Sequence, residues 1–280
     1  MSASRSGSAP VRVNILHGAA NNGRIIVALI FREAALRFGT TPFSYVWTLV
    51  EPSAFIGIYL FFRLVVKDAN PMFGDSSILF LLTGIIACRA IRATIAKGMK
   101  GIVTNLPLFE FGAIRPMDAV VARTTLEFTI WLLILTTFLV VVRFITGEAV
   151  VVNFQRLVIA MLMIYFFCIA MSMFNATVGA LWALWRSLWR LLALPLYLAS
   201  GIFFVPVQLP PDILTFVWWN PFLHCVEAIR ENSYLDYTSV YSPTYLGSFS
   251  VSFMLIALVV EHVYRKEILR SRYDDDEEEL

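Results

Sequence analysis

The chain has 280 residues, of which 59% are hydrophobic and only 15% charged, with a net charge of +2 and a mean hydropathy of +0.73. Soluble domains carry about 25% charged residues, so this composition excludes a soluble fold, a disordered chain and a disulfide scaffold alike. It describes a polytopic, all-α membrane protein.

Residues 1–24 are polar and rich in Ser, Gly and Asn, and the apolar run Ile25 to Phe31 is too short for a signal peptide. From 22 to 42, Ile25, Ile26, Ala28, Leu29 and Leu36 share a helix with Arg24, Arg32, Glu33 and Arg37. That pattern predicts an amphipathic helix at the cytoplasmic membrane interface. Gly39-Thr40-Thr41-Pro42 ends it.

A spanning helix needs about 20 mostly apolar residues. Six segments qualify: 43–66, 78–97, 124–146, 157–182, 188–207 and 246–264. The first contains Glu51-Pro52, which kinks its early turns, and an aromatic set, Tyr45, Trp47, Phe55 and Tyr59. Those rings read either as an interfacial belt or as a surface on which sugar rings stack. The second span carries Arg89 about 16 Å deep at 1.5 Å per residue. With Arg92 and Lys100 it forms a basic stripe running to the cytoplasm, read either as snorkelling or as the lining of a polar path.

After the second span, Asn105-Leu106-Pro107-Leu108-Phe109 is an apolar stretch in a cytoplasmic loop over 98–122, and such patches mark partner surfaces. Trp182, Trp185 and Trp189 share a face beside Arg186 and Arg190, read first as an interfacial belt. Asn175-Ala-Thr177 matches a glycosylation acceptor but falls inside the fourth span. Between spans five and six, 207–244 holds a run ending in Trp218-Trp219, a break at Asn220-Pro221, and a second helical stretch from Phe222 to about Leu235. This predicts a re-entrant helical hairpin in the outer leaflet. His224, Glu227 and Glu231 fall on one face of it, read as a polar edge toward headgroups or solvent rather than as metal ligands.

Lys and Arg concentrate in the N-terminal segment, the 98–122 loop, the turn near Arg186 and the C-terminus. Both termini are therefore expected in the cytoplasm. The run Asp274 to Glu279 is a solvated acidic tail whose six charges offset a body of +8. No GxxxxGK[ST], GxSxG or HExxH occurs, and nothing points to nucleic acid. Cys88, Cys168 and Cys225 are far apart and read as packing thiols. No catalytic, metal or cofactor site is expected on this chain.

Three passages together resemble a family: "LIFREAALRFGTTPFSYVWTLVEP", "NLPLFEFGAIRPMDAVVARTTLEF" and "WWNPFLHCVEAIRE". They are similar to type-2 ABC export permeases for polysaccharides, nearest the inner-membrane permease of Gram-negative capsule export, over about residues 22–265. The resemblance implies a homodimer in the bacterial inner membrane and two copies of a separate ATPase that binds ATP and Mg. It also implies a periplasmic co-polymerase or adaptor, an outer-membrane export protein and a lipid-linked, often acidic polysaccharide. On this chain it places ATPase docking at Asn105, Leu106, Pro107, Leu108 and Phe109. It places a periplasmic gate at Trp218, Trp219, Asn220 and Pro221, and marks the interface helix at Arg32 and Arg37. The in-span charges and rings, by themselves, make Arg89, Arg92, Tyr45, Trp47 and Tyr59 the expected substrate path. The domain plan is a flexible N-terminus (1–21), the permease domain (22–265) and the tail (266–280). The rival readings are an O-antigen or teichoic-acid exporter, a small-molecule ABC exporter of the same architecture, and an integral-membrane glycosyl- or acyltransferase.

Overall fold

The structure, a computed structural model, describes residues 15–38, 50, 54, 77–109, 114–146, 151, 153–234 and 237–270. Within them, all regular structure is helical: α1 (Ile15–Phe38), α2 (Ser77–Gly98), a 3-10 turn (Val103–Asn105) and α3 (Leu106–Phe109), then α4 (Pro116–Thr146), α5 (Phe154–Leu181) and α6 (Trp185–Leu198). A second 3-10 turn (Pro206–Gln208) leads to α7 (Pro211–Trp218), α8 (Pro221–Ser233), α9 (Pro243–Val263) and α10 (Arg265–Arg270). The expected first span lies outside the described residues apart from Val50 and Ala54, so Tyr45, Trp47, Tyr59 and the 39–42 breaker lie outside them too.

The helix starts follow from local chemistry. Asn153, Asn220 and Ser242 each cap a helix by accepting a backbone N–H of its first turn. Pro221 and Pro243 sit just inside the helices they begin, where a missing N–H costs nothing. Asn220-Pro221 thus starts α8 as well as ending α7.

Three helices are long and apolar enough to cross a membrane among the described residues: Pro116–Val141, Phe154–Leu181 and Pro243–Val263. They coincide with the expected third, fourth and sixth spans. Of the three, α5 is the most buried and α9 the least. Accordingly α5 packs against α2, α4, α6, α8 and α9, with Ile164, Phe167 and Cys168 joining Ile86, Ile91 and Ile95 of α2 in one core. α1 lies across α4. The three cysteines are buried and free, and Asn175 is fully buried, so its acceptor motif is unreachable.

Two sequence expectations need correction. The fifth span, 188–207, is helical only to Leu198, and fourteen residues reach about 21 Å. Pro195 lies inside its last turn, and Gly201 adopts φ +80°, a left-handed conformation that favours glycine. The tryptophans do not lie on one helix either, although the Trp182 and Trp185 rings are 6.2 Å apart. Trp182 sits in extended backbone beyond α5, Trp185 donates to Asn175 Oδ1 at 2.9 Å, and Trp189 is buried.

Candidate functional site

The functional candidates gather at the two ends of α2, which are about 27 Å apart from Phe80 to Gly98 at 1.5 Å per residue.

Beyond Gly98, the 3-10 turn delivers Asn105 to α1. Arg32 Nη1 donates to Asn105 Oδ1 at 2.6 Å, while Asn105 Nδ2 donates to Glu33 Oε1 at 3.0 Å and to the Gly101 carbonyl at 2.9 Å. That buried amide is fully engaged, since its carbonyl and both N–H groups have partners. Arg37 forms an ion pair with Glu127 of α4, whose Oε1 also accepts Trp131 Nε1 at 3.1 Å. Arg123 Nε lies 3.8 Å from Glu33 Oε2. α1 is therefore stapled to both the 103–109 stretch and α4, and the two expected interface-helix markers, Arg32 and Arg37, are the staples. A cavity of about 280 Å³ lies between them. Burial, and then the nearby Arg123 charge, push the Arg37 guanidinium below its ordinary range.

The expected docking stretch is mostly turned inward. Asn105 and Phe109 are buried, Leu106 and Leu108 are half-buried, and only Pro107 is exposed, beside Thr104. Leu106, Leu108 and Phe109 belong to a small core that includes Ile102, Val120 and Ile268.

At the other end of α2 stands a side chain to which no sequence motif assigned a role. Arg230 is fully buried. Its Nη1 donates to the Gly201 carbonyl at 2.6 Å, and its Nη2 approaches the carbonyls of Phe80 at 3.3 Å and Ile202 at 3.4 Å. The guanidinium lies over the Phe80 ring at 3.7 Å, and Nη1 is 3.7 Å from Glu227 Oε1. A Cβ at Gly84 would fall 2.7 Å from Arg230 Nη2, so a glycine there admits the guanidinium. Tyr237 Oη donates to Glu227 Oε1 at 2.6 Å. In this segment between the spans, burial pushes the Glu227 carboxyl up, with Tyr237 and Arg230 pulling it back.

The polar-edge expectation for this helix is overturned. His224 and Glu227 have no exposed surface because α8 packs between α2 and α5; Glu231 alone of the three is partly exposed. His224 Nδ1 accepts the Ser242 N–H, so Nε2 carries the proton and donates to the Trp218 carbonyl at 2.8 Å. Burial pushes its pKa down. No cluster among the described residues could hold a metal ion.

The expected gate residues form the α7–α8 corner. Asn220 Nδ2 donates to the Leu196 carbonyl at 2.7 Å, tying the α7–α8 corner to α6. Trp218 stacks edge-on to both Trp219 and His224, and Tyr245 Oη donates to the Trp219 carbonyl. Asn220 and Pro221 are buried, while Trp219 is exposed. Between the two ends, Arg89 and Arg92 are half-buried, and Arg92 lies 5.0 Å from the Tyr197 ring centroid. The signal for Arg230 is Glu227 and Arg230 at i and i+3 in a helix whose Phe222, Leu223, Val226, Ala228 and Ile229 are apolar.

Residues 25–234 match the family described as ABC-2 type transporter. The chain is 28% identical over 254 residues to the polysialic acid transport protein KpsM of Escherichia coli, covering 88% of this chain and 95% of that one. It is 26% identical over 255 residues to the capsule polysaccharide export inner-membrane protein BexB of Haemophilus influenzae, covering 88% and 93%. With the capsule polysaccharide export inner-membrane protein CtrC of Neisseria meningitidis serogroup B it shares 23% identity over 251 residues, covering 88% and 92%.

Proposed function

Because this chain belongs to the ABC-2 type transporter family, we propose that it is the permease of an ATP-driven exporter moving lipid-linked capsular polysaccharide outward across the inner membrane. The observation that carries this reading is the near end-to-end match to inner-membrane proteins named for capsule polysaccharide export. The chain is a transport subunit and not an enzyme; in this family a separate chain hydrolyses ATP, and ATP and Mg belong there.

The finer architecture is part of this proposal, supported by the loop charges and the family. Six crossings, the fifth made by α6 with the non-helical stretch after it, leave both termini in the cytoplasm; α1 lies in the inner interface, and the α7–α8 hairpin re-enters the outer leaflet. Two copies of the chain form the canal. Two ATPases dock at the 103–109 end, and a periplasmic adaptor and an outer-membrane export protein continue the route. Support for a lever comes from α2. It is one continuous helix whose ends touch Asn105's partners and Arg230's carbonyls, so a push on the turn beyond Gly98 reaches the hairpin through a single rigid rod. Processive passage suits a polymer, which no closed midplane pocket holds.

The test is co-purification. Tagged permease in mild detergent should bring down an ABC ATPase. Changing the exposed Thr104 and Pro107 to Arg should remove it while the dimer survives. A folded dimer with no ATPase in either sample overturns the exporter reading.

A further inference from the structure

The cavity beneath α1 is lined by charges that do not balance. Among the described residues, Arg32, Arg37, Lys97 and Arg123 face two carboxylates, Glu33 and Glu127. Both carboxylates are already engaged: Glu33 by Asn105 and Arg123, Glu127 by Arg37 and Trp131. Arg123 Nη1 is nevertheless buried without a hydrogen-bond partner. Among the described residues, no carboxylate lies within ion-pair distance of Lys97. A buried guanidinium N–H without an acceptor costs free energy until an anion or water supplies one, and guanidinium forks match phosphate oxygens.

The rim points to what carries the anion. Leu36, 67% exposed, lines the cavity, and Phe31 is 72% exposed on the same helix. Large apolar side chains left outward on α1 suit acyl chains rather than water. At about 280 Å³ the cavity falls just below the range of drug-sized pockets, which admits one headgroup and not a run of sugars.

We propose that this cavity binds a phosphate group carried on a lipid, with the phosphate oxygens on Arg123 and Lys97 and the acyl chains against Leu36. The lipid is either a bilayer phosphoglyceride or the phosphate-bearing lipid end of the cargo. The inference rests on the membrane setting of the proposed exporter, but its test reads lipid binding on the isolated permease. Failure here therefore leaves ATPase co-purification untouched, and the reverse holds as well.

Native mass spectrometry of the permease released from nanodiscs of phosphatidylglycerol or phosphatidylcholine provides the test. The native chain and Lys97→Arg should retain phosphatidylglycerol in preference to phosphatidylcholine. Lys97→Glu should lower that retention about tenfold, the effect of losing one charged hydrogen bond. Lys100→Glu, exposed and outside the cavity, should leave it unchanged. Equal retention of the two lipids, no retention by the native chain, or Lys97→Glu and Lys100→Glu behaving alike overturns the assignment. Permease from cells unable to make polymer then identifies the resident lipid. An adduct that persists in such protein is bilayer phospholipid, and one that vanishes is the cargo's lipid end; either supports the site.

Discussion

Arg230 has no exposed surface, yet all three carbonyls it approaches belong to other segments, two of them in the stretch where α6 has ended. Buried backbone that leaves a helix must find its hydrogen bonds elsewhere, and this one side chain supplies them. Removing it strands the Gly201 and Ile202 carbonyls, while that of Phe80 keeps Thr83 Oγ1, and leaves buried Glu227 with only the Tyr237 hydroxyl and the Val240 N–H. Arg230→Met should therefore destabilise the detergent-solubilised protein by about 3–5 kcal/mol, read as a lowered thermal unfolding midpoint. Adding Glu227→Gln should recover part of the loss, because the stranded charge goes with it. A double variant whose loss equals the sum of the two single losses would show that the pair is uncoupled.

Among the elements, α1 is held less by apolar packing than by ions. Among its described side chains the inward positions are Leu29 and Glu33, one turn apart, and the outward ones include Val27, Phe31 and Leu36. Arg37 to Glu127 is the pair that fixes its C-terminal turn to α4. Glu127→Gln should free that turn, and hydrogen exchange of the amides near Arg37 should quicken about tenfold, with the core of α5 unchanged. Unaltered exchange near Arg37 would assign the hold to Arg32 and Asn105 instead.

Much of this layer was legible in the chain. Hydropathy and length identified α4, α5 and α9, and Asn220-Pro221 marked the corner before α8. Arg32 and Arg37 were expected on the interface helix; their ties to Asn105 and Glu127 were not. The early end of α6 was not legible, because an apolar run reads alike whether or not it is helical, and the carbonyls left over at Gly201 and Ile202 are satisfied by a residue 28 or more positions away. For the same reason Asn105 read as part of an exposed patch: its three partners come from Arg32, Glu33 and Gly101, and only Gly101 is local.

For the molecule as a whole, the buried state of Cys88, Cys168 and Cys225 leaves a clean background for testing the proposed orientation. Thr104 and Asp212 are both exposed and fall at opposite ends of the bundle in the proposed topology. A membrane-impermeant maleimide should label Asp212→Cys in spheroplasts and Thr104→Cys only after lysis. The opposite pattern would invert the permease and place the 103–109 stretch out of reach of any ATPase.

The carbonyl of Gly201 and the arginine that serves it are 29 residues apart in the chain. Synthesis at about 5–20 residues per second makes the carbonyl seconds before its donor. In the proposed topology, the growing chain then carries a half-built crossing whose carbonyls lack their donor throughout that interval. That topology therefore predicts that α6 and the segment after it stay with the insertion machinery until α8 emerges, and leave it together.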